Sequence, residues 1–326
     1  MLSFLLDFSI GLGWMVFVSL LVLLSLVWKI CTARRRPKSV VGDVVLITGG
    51  AMGLGKLMAQ RFVALGANVV LWDIQEDVLD NTVAELKTLA APHTKVFGYV
   101  CDITNKERVY KLAQLVKKEV GVVDILVNNA GVVFGKSILE SKDDEVERTV
   151  AVNYISNFYT VKAFLPDMIE QKCGHIITIS SVAGFTGVPF LADYCSSKAA
   201  SFCFGEALRS ELKTLTAGHV KTTLVCPYYI LTGMFEGTEI KSTLGKLIAG
   251  NPLEPDTVAG DIVQAILLEE EFVVLPSQFL VIGILRALLP TRALDWFQGM
   301  TGATQAMNNF KGRGARFGMG KKQKKQ

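Results

Sequence analysis

Tyr194 and Lys198 stand four residues apart, so on a helix both side chains project from one face, a turn apart. A phenol titrates near 10 in water, but a cationic neighbour favours its phenolate. Such a pair can take a proton from a hydroxyl group or return one to a carbonyl oxygen, as the two directions of alcohol oxidation demand. By themselves, a tyrosine and a lysine at this spacing are an ordinary helix-surface pair. Their weight comes from upstream, where Thr48-Gly49-Gly50-Ala51-Met52-Gly53-Leu54-Gly55 follows a short apolar run and opens a helical stretch, Lys56–Leu65. Glycines in that position let the backbone turn tightly and approach a pyrophosphate held over the free N–H groups of a helix start. Asp73 closes the next apolar run about 20 residues on. A carboxylate there accepts hydrogen bonds from ribose hydroxyls and repels a 2′-phosphate, which favours NAD(H). NADP(H) stays open because Lys56 offers some attraction to a phosphate, and capping of the following helix is the plainer role for Asp73.

The elements that must position these groups alternate along the chain. VVLIT (44–48), NVVLWD (68–73), KVFGYVCD (95–102), DILVNN (124–129), HIITIS (175–180) and KTTLVC (221–226) are β-rich runs separated by helical stretches, with Phe272–Leu275 a further strand. They lack polar alternation, as strands buried on both sides do. The expectation is an α/β fold: a single Rossmann-like doubly wound parallel sheet with helices on both faces, spanning residues 41–275, plus an N-terminal membrane helix. No repeat or low-complexity linker marks a second catalytic domain.

That membrane helix is read from Phe8–Trp28, an uncharged run of about the 20 residues a bilayer crossing needs. Residues 1–30 are thus expected to span or anchor, and 31–40 to form a basic juxtamembrane segment whose Arg34, Arg35, Arg36 and Lys38 hold that flank in the cytosol. A cleaved signal peptide would have a positive start and a shorter apolar stretch. Residues 276–310 are apolar but broken by Pro276 and Arg286, which fits an interfacial or substrate-covering segment or an ordinary buried helix. Residues 311–326 form a basic tail. The two ends carry much of the positive charge while the net is only +4, so the middle is mildly acidic, which argues against nucleic acid as a partner. Six cysteines without a C-x-x-C pair and three scattered histidines support neither disulfides nor a metal site.

TGGAMGLG, Asn128-Asn129-Ala130-Gly131 and Tyr194-Cys195-Ser196-Ser197-Lys198, in this order, resemble the short-chain dehydrogenases/reductases from about Val41 to Leu275. The anchor and the phrases VLWD, KAFLP, ADYCSSK, TGMFEG and MNNFKGR are similar to its membrane-bound retinol dehydrogenase and retinal reductase branch, and to lipid-droplet 17β-hydroxysteroid dehydrogenases. The resemblance implies a catalytic tetrad of Asn153, Ser181, Tyr194 and Lys198, with Ser180 the less suited neighbour. Ser181 would hold the substrate oxygen, and Asn153 would anchor a water that passes the proton onward from Lys198. It implies cofactor contacts from Thr48, Gly49, Gly53, Leu54, Gly55, Asp73, Asp102, Asn129, Ala130, Gly131, Tyr194, Lys198, Pro227 and Thr232. Asp102 would hold the adenine and Thr232 the nicotinamide carboxamide. The family's usual Pro-Gly after the sixth strand is Pro227-Tyr228 here, which puts the nicotinamide-side loop in question.

The expected substrate is lipophilic, because the stretch between Pro227 and Pro255, the family's lid, is rich in apolar and aromatic residues. All-trans-retinol and all-trans-retinal come first, then a 17β-hydroxysteroid or long-chain alcohol. A dinucleotide-binding scaffold at lipid surfaces, without turnover, is the alternative from another class. The partners expected are the membrane and, by resemblance, another copy of the chain paired through Asp143–Glu170 and Tyr194–Lys213. Lysines three and five from the C-terminus resemble a retrieval signal. The expected location is therefore the endoplasmic reticulum membrane or a lipid droplet, with the catalytic domain facing the cytosol.

Overall fold

Valine, isoleucine and leucine fill the runs that become strands, and their branched side chains pack well on both sides of a pleated surface. A computed structural model describes residues 36–238 and 252–302, with Ser19, Ser242, Ala306, Met307, Asn309 and Phe310. The apolar run Phe8–Trp28 apart from Ser19, the basic tail and most of residues 239–251 lie outside the described residues. Among those described, no helix is long and apolar enough to cross a membrane.

The strands are β1 (Val44–Thr48), β2 (Asn68–Asp73), β3 (Val96–Val100), β4 (Ile125–Asn128), β5 (Gly174–Ile179), β6 (Val220–Pro227) and β7 (Phe272–Leu275). They form one sheet in the order β3-β2-β1-β4-β5-β6-β7, every neighbouring pair parallel. The helices between them are α1 (Gly53–Ala64), α2 (Glu76–Leu89), α3 (Lys106–Glu119), α4 (Asp143–Val150), α5 (Ser156–Glu170), α6 (Ala192–Leu215) and α7 (Pro255–Leu267). Beyond β7, among the described residues, come α8 (Leu280–Leu288) and α9 (Thr291–Thr301).

The pleat sends alternate residues of β1 to opposite layers. Val45 and Ile47 pack with Met58 and Phe62 of α1, Leu79 of α2 and Ile262 of α7. Leu46 packs on the other side with Leu112 and Val116 of α3, Phe164 of α5 and Leu212 of α6. Trp72 of β2 is fully buried against Phe164, their rings tilted with centroids 5.5 Å apart. The doubly wound parallel sheet expected from the sequence is therefore present. Between β1 and β4 the strand order turns back on itself, and in such sheets a crevice opens there, outside the carboxyl ends of the strands.

Candidate active site

The loop from β1 into α1 is built around close backbone approach. Gly49 has φ +63° and sits so near Ala130 that a Cβ would come 2.9 Å from its Cα. A Cβ at Gly55 would overlap the Gly49 carbonyl oxygen. The N-cap residue of α1, Met52, offers no side-chain acceptor to the first turn, whose Leu54 and Gly55 face the cleft. An anionic group is the natural partner for N–H groups left this way. Thr48 stands behind the loop, buried, with its Oγ1 donating to Val127 O (3.3 Å) and accepting from the N–H groups of Asn129 (3.0 Å) and Ala130 (3.1 Å). Asn129 donates its amide to the carbonyls of Thr48 (2.9 Å) and Gly49 (3.2 Å). The Asn129–Gly131 turn and the glycine loop are thus fastened to each other.

Asp73 lines the cleft with a carboxylate that also has structural work. One oxygen accepts from the N–H of Ala51 and the other from that of Gln75, each at 3.1 Å. It holds the glycine loop as well as the start of α2, and each oxygen keeps a lone pair for a ligand. Asp102 accepts from the Thr104 hydroxyl (2.7 Å) and lies 3.7 Å from the Arg148 guanidinium; both line the same cleft. This loop, helix start and carboxylate fit a dinucleotide.

Tyr194 and Lys198 fall on the buried stripe of α6 that continues through Ser201, Gly205, Leu208 and Leu212. The stripe is the reason both side chains are drawn inside: they occupy core-facing positions at the end of the helix nearest the cleft. Lys198 donates from Nζ to the carbonyl of Ile179 (2.9 Å), and Nζ lies 5.8 Å from the Tyr194 ring centre. Ser180 uses its hydroxyl on the Lys198 carbonyl (2.7 Å). Ser181 donates to Pro227 O (3.3 Å), accepts from Ala183 N (3.1 Å) and faces the cleft with Tyr194 and Lys198. The two serines are separated by geometry that the sequence does not display.

Asn153 sits in a π-helical turn, Ala151–Ile155, between α4 and α5. Such single turns of wider helix recur at functional sites. Its amide donates to Val132 O (3.0 Å) and Ser197 Oγ (3.0 Å), and its Oδ1 accepts from Val132 N (2.8 Å), so it clamps the loop after β4 to α6. A side chain on Gly131 would come 3.4 Å from that Oδ1 and 3.7 Å from Lys198 Nζ. Both polar atoms therefore face the space that glycine leaves. Pro227 ends β6 and Thr232 precedes the short turn Gly233–Phe235, both on the cleft wall. Tyr228 stacks on Phe279, ring centres 4.0 Å apart at 20°, which ties the loop after β6 to the start of α8.

The electrostatics correct one expectation. Burial raises the Tyr194 phenol above its ordinary value and outweighs the opposing hydrogen bond from Ser181. Lys198 is itself pushed down to about 8, again chiefly by burial. It stays mostly protonated at neutral pH, but its charge alone does not turn Tyr194 into a phenolate. A lowered lysine value means that the unfolded chain binds more protons than the folded one between about 8 and the ordinary value near 10.5. The contribution of Lys198 to stability should therefore rise with pH across that window, while the buried thiols Cys101, Cys195 and Cys226, whose values burial raises, oppose it equally in wild type and variant. Lys198→Met should lack the rise, so denaturation of the two proteins from pH 8 to 10.5 should diverge in favour of wild type by about 3 kcal/mol. Parallel curves would show that Lys198 is not held in this way.

The cleft is continuous, ≈ 1220 Å³, and runs from Asp73 past Gly49 and Tyr194 to α8 and α9. Loop, acid and the buried Tyr194–Lys198 pair together fit a nicotinamide-dependent oxidoreductase of alcohols and carbonyls. Residues 43–242 match the family model described as short chain dehydrogenase. The chain belongs to the short-chain dehydrogenase/reductase family, in the branch that holds retinol dehydrogenases. It is 44% identical over 293 residues to short-chain dehydrogenase/reductase family 16C member 6 of Bos taurus, covering 90% of this chain and 89% of that one. Human epidermal retinol dehydrogenase 2 is 42% identical (84% and 86% covered). Estradiol 17-beta-dehydrogenase 11 of Macaca fascicularis is 41% identical (86% and 92%). Among solved structures, a Burkholderia phymatum short chain dehydrogenase/reductase in complex with NAD superposes with TM-score 0.68 at 29% identity (77% and 94% covered). A metagenomic short-chain oxidoreductase in complex with NADP gives 0.59, also at 29% identity (73% and 96%).

Proposed function

We propose that this protein is a membrane-bound dehydrogenase that interconverts a lipophilic alcohol and its carbonyl, all-trans-retinol and all-trans-retinal first, with NAD(H) as its coenzyme. The observation that carries the substrate class is the wall of the cleft beyond Tyr194. Leu191, Phe235, Ile282, Leu285, Leu294 and Met307 line it, a mostly apolar surface, with Gln278, Arg286, Asp295 and Gln298 toward α8 and α9. The retinol-directed relative supports the retinoid, and the estradiol-directed one makes a steroid the second reading. Asp73, a carboxylate beside the expected ribose position, supports NAD(H). Membrane attachment rests on the apolar run Phe8–Trp28 and its basic flank, with the endoplasmic reticulum or a lipid droplet as the site and the catalytic domain on the cytosolic side.

In this reading the substrate oxygen lies between the Tyr194 hydroxyl and Ser181 Oγ. Tyr194 takes the alcohol proton in oxidation and returns it in reduction; Ser181 fixes the oxygen. Lys198 supplies a positive charge beside the phenol, and the Gly131 space between Asn153 Oδ1 and Lys198 Nζ leads the proton outward through a water. The bound dinucleotide supplies or accepts the hydride, and the protein's share is position and charge.

The test is turnover in membranes, followed by the absorbance of reduced nicotinamide, with all-trans-retinol plus NAD and with all-trans-retinal plus NADPH. Oxidation in the first pair supports the reading. Turnover confined to the second overturns the coenzyme assignment, and activity only with 17β-hydroxysteroids makes the second reading the right one. Silence with every substrate moves a non-catalytic scaffold to the front.

A further inference from the structure

The motif MNNFKGR near the C-terminus takes no part in the chemistry above, yet its Phe310 reaches the catalytic centre in two contacts. Gly135, in the loop after β4, has φ +65° and carries no side chain where the Phe310 ring rests; a Cβ there would overlap the ring. Phe310 packs in turn on Phe235, ring centres 6.4 Å apart. Phe235 stands edge-on to Tyr194, centres 5.5 Å apart at 85°. Tyr229 flanks Phe235 at 5.9 Å and donates its hydroxyl to the carbonyls of Phe235 (3.3 Å) and Thr238 (3.2 Å). The Thr238 hydroxyl reaches the Met307 sulfur at 3.6 Å. Met307 is buried in one apolar cluster with Leu191, Tyr194 and Cys195, with Phe235 and Phe310 packed against it.

Two segments more than 60 residues apart in sequence thus interlock over one tyrosine. Edge-to-face aromatic pairs of this kind favour one geometry over its neighbours. The Gly135 notch fixes Phe310, and Phe310 fixes Phe235.

We infer that Phe310 is a positioning residue for the substrate: held in the Gly135 notch, it sets Phe235 against the Tyr194 ring and so fixes where the apolar body of the substrate lies. The lid segment Thr232–Thr238 is then closed by the C-terminal segment, and a chain cut before Met307 has its chemistry but an ill-defined substrate wall. The inference rests on the lipophilic-substrate reading for its kinetic consequence, and on the contacts alone for its structural one.

The experiment uses the full chain in membranes, as Phe310→Ala, Phe310→Leu and Gly135→Ala. Hydrogen–deuterium exchange should rise at 232–238 in Phe310→Ala and Gly135→Ala, and stay as in wild type across the glycine loop. In turnover of all-trans-retinol, Phe310→Ala should raise KM by about tenfold, the scale of one lost aromatic packing contact, with kcat changed less than about twofold. Phe310→Leu should recover most of that KM. Unchanged exchange at 232–238 in both disruptive variants overturns the inference whatever the substrate proves to be. A fall in kcat with KM unmoved also overturns it. Increased exchange in both variants, with the wild-type protein inactive on retinoids and steroids alike, would sink the functional reading and leave the clasp standing.

Discussion

Tyr194→Phe should lower kcat by roughly 10²–10⁴-fold, the contribution of a positioned general acid–base group. The change removes one oxygen and leaves the ring, so the edge-on contact with Phe235 and the packing around Leu191 and Cys195 persist. Dinucleotide affinity should fall far less than kcat and the thermal midpoint should hold, because the glycine loop and its fastening to Asn129 do not involve the phenol. Burial keeps the Tyr194 proton in place at neutral pH, which suits donation to a carbonyl. In oxidation the same burial opposes loss of the proton, and the Ser181 hydrogen bond and the nearby positive charge must offset it. The measurement is kcat for the two proteins, with dinucleotide binding read separately. A variant that keeps more than about a tenth of the activity, against the expectation above, removes Tyr194 from the proton-transfer role.

Gly55→Val should weaken dinucleotide binding by at least about 100-fold, or about 2.7 kcal/mol, and lower the unfolding midpoint as well. The obstruction is not a flexible side chain. A Cβ at 55 meets the carbonyl oxygen of Gly49 and lies 2.7 Å from the Asn129 amide nitrogen, atoms that are themselves fastened. Relief requires the loop to open, and an opened loop no longer presents its N–H groups to a pyrophosphate. Overpacking of this kind costs about 1–3 kcal/mol in stability. Gly299→Ala is the control, since nothing lies within 4 Å of a Cβ there and a helical position gains from alanine. Titration of NAD by intrinsic fluorescence distinguishes the outcomes. Near-native affinity in Gly55→Val would mean that this loop is not the phosphate cradle.

Much of this architecture was legible because buried parallel strands cannot hide: VVLIT, NVVLWD and FVVL became β1, β2 and β7 with the residues the apolar runs predicted. Tyr194 and Lys198 were legible as a pair through their spacing, and they lie on a buried stripe of small and apolar residues, Ser197, Ser201, Gly205, Leu208 and Leu212, on the same helix. The π-helical turn under Asn153 was not, since its widened hydrogen bonding leaves no compositional trace. The preference for Ser181 over Ser180 came from the resemblance alone; that the Ser180 hydroxyl is committed to the Lys198 carbonyl is visible only in the structure. The raised phenol of Tyr194 escaped because spacing shows the neighbouring charge but not how deep the ring lies. The Gly135–Phe310–Phe235 contacts join loops distant in sequence, where no periodicity exists to read. The departure from Pro-Gly at Pro227-Tyr228 was legible, but not the use of the ring, which stacks on Phe279 from a segment about 50 residues on.

The two backbone bonds held by Asp73 have a consequence for how such a protein can change over time. In the proposed NAD(H) reading, a mutation here that admits a 2′-phosphate also removes at least one of the acceptors for Ala51 N–H and Gln75 N–H, so a new coenzyme would arrive together with a loosened loop. Asparagine keeps one carbonyl acceptor and loses the repulsion, which makes it the gentlest first step. A lineage or a designer switching coenzymes would do better to install a substitute acceptor for those amides beforehand. On that reading coenzyme choice would be inherited together with fold stability, and the order of substitutions would matter as much as their identity.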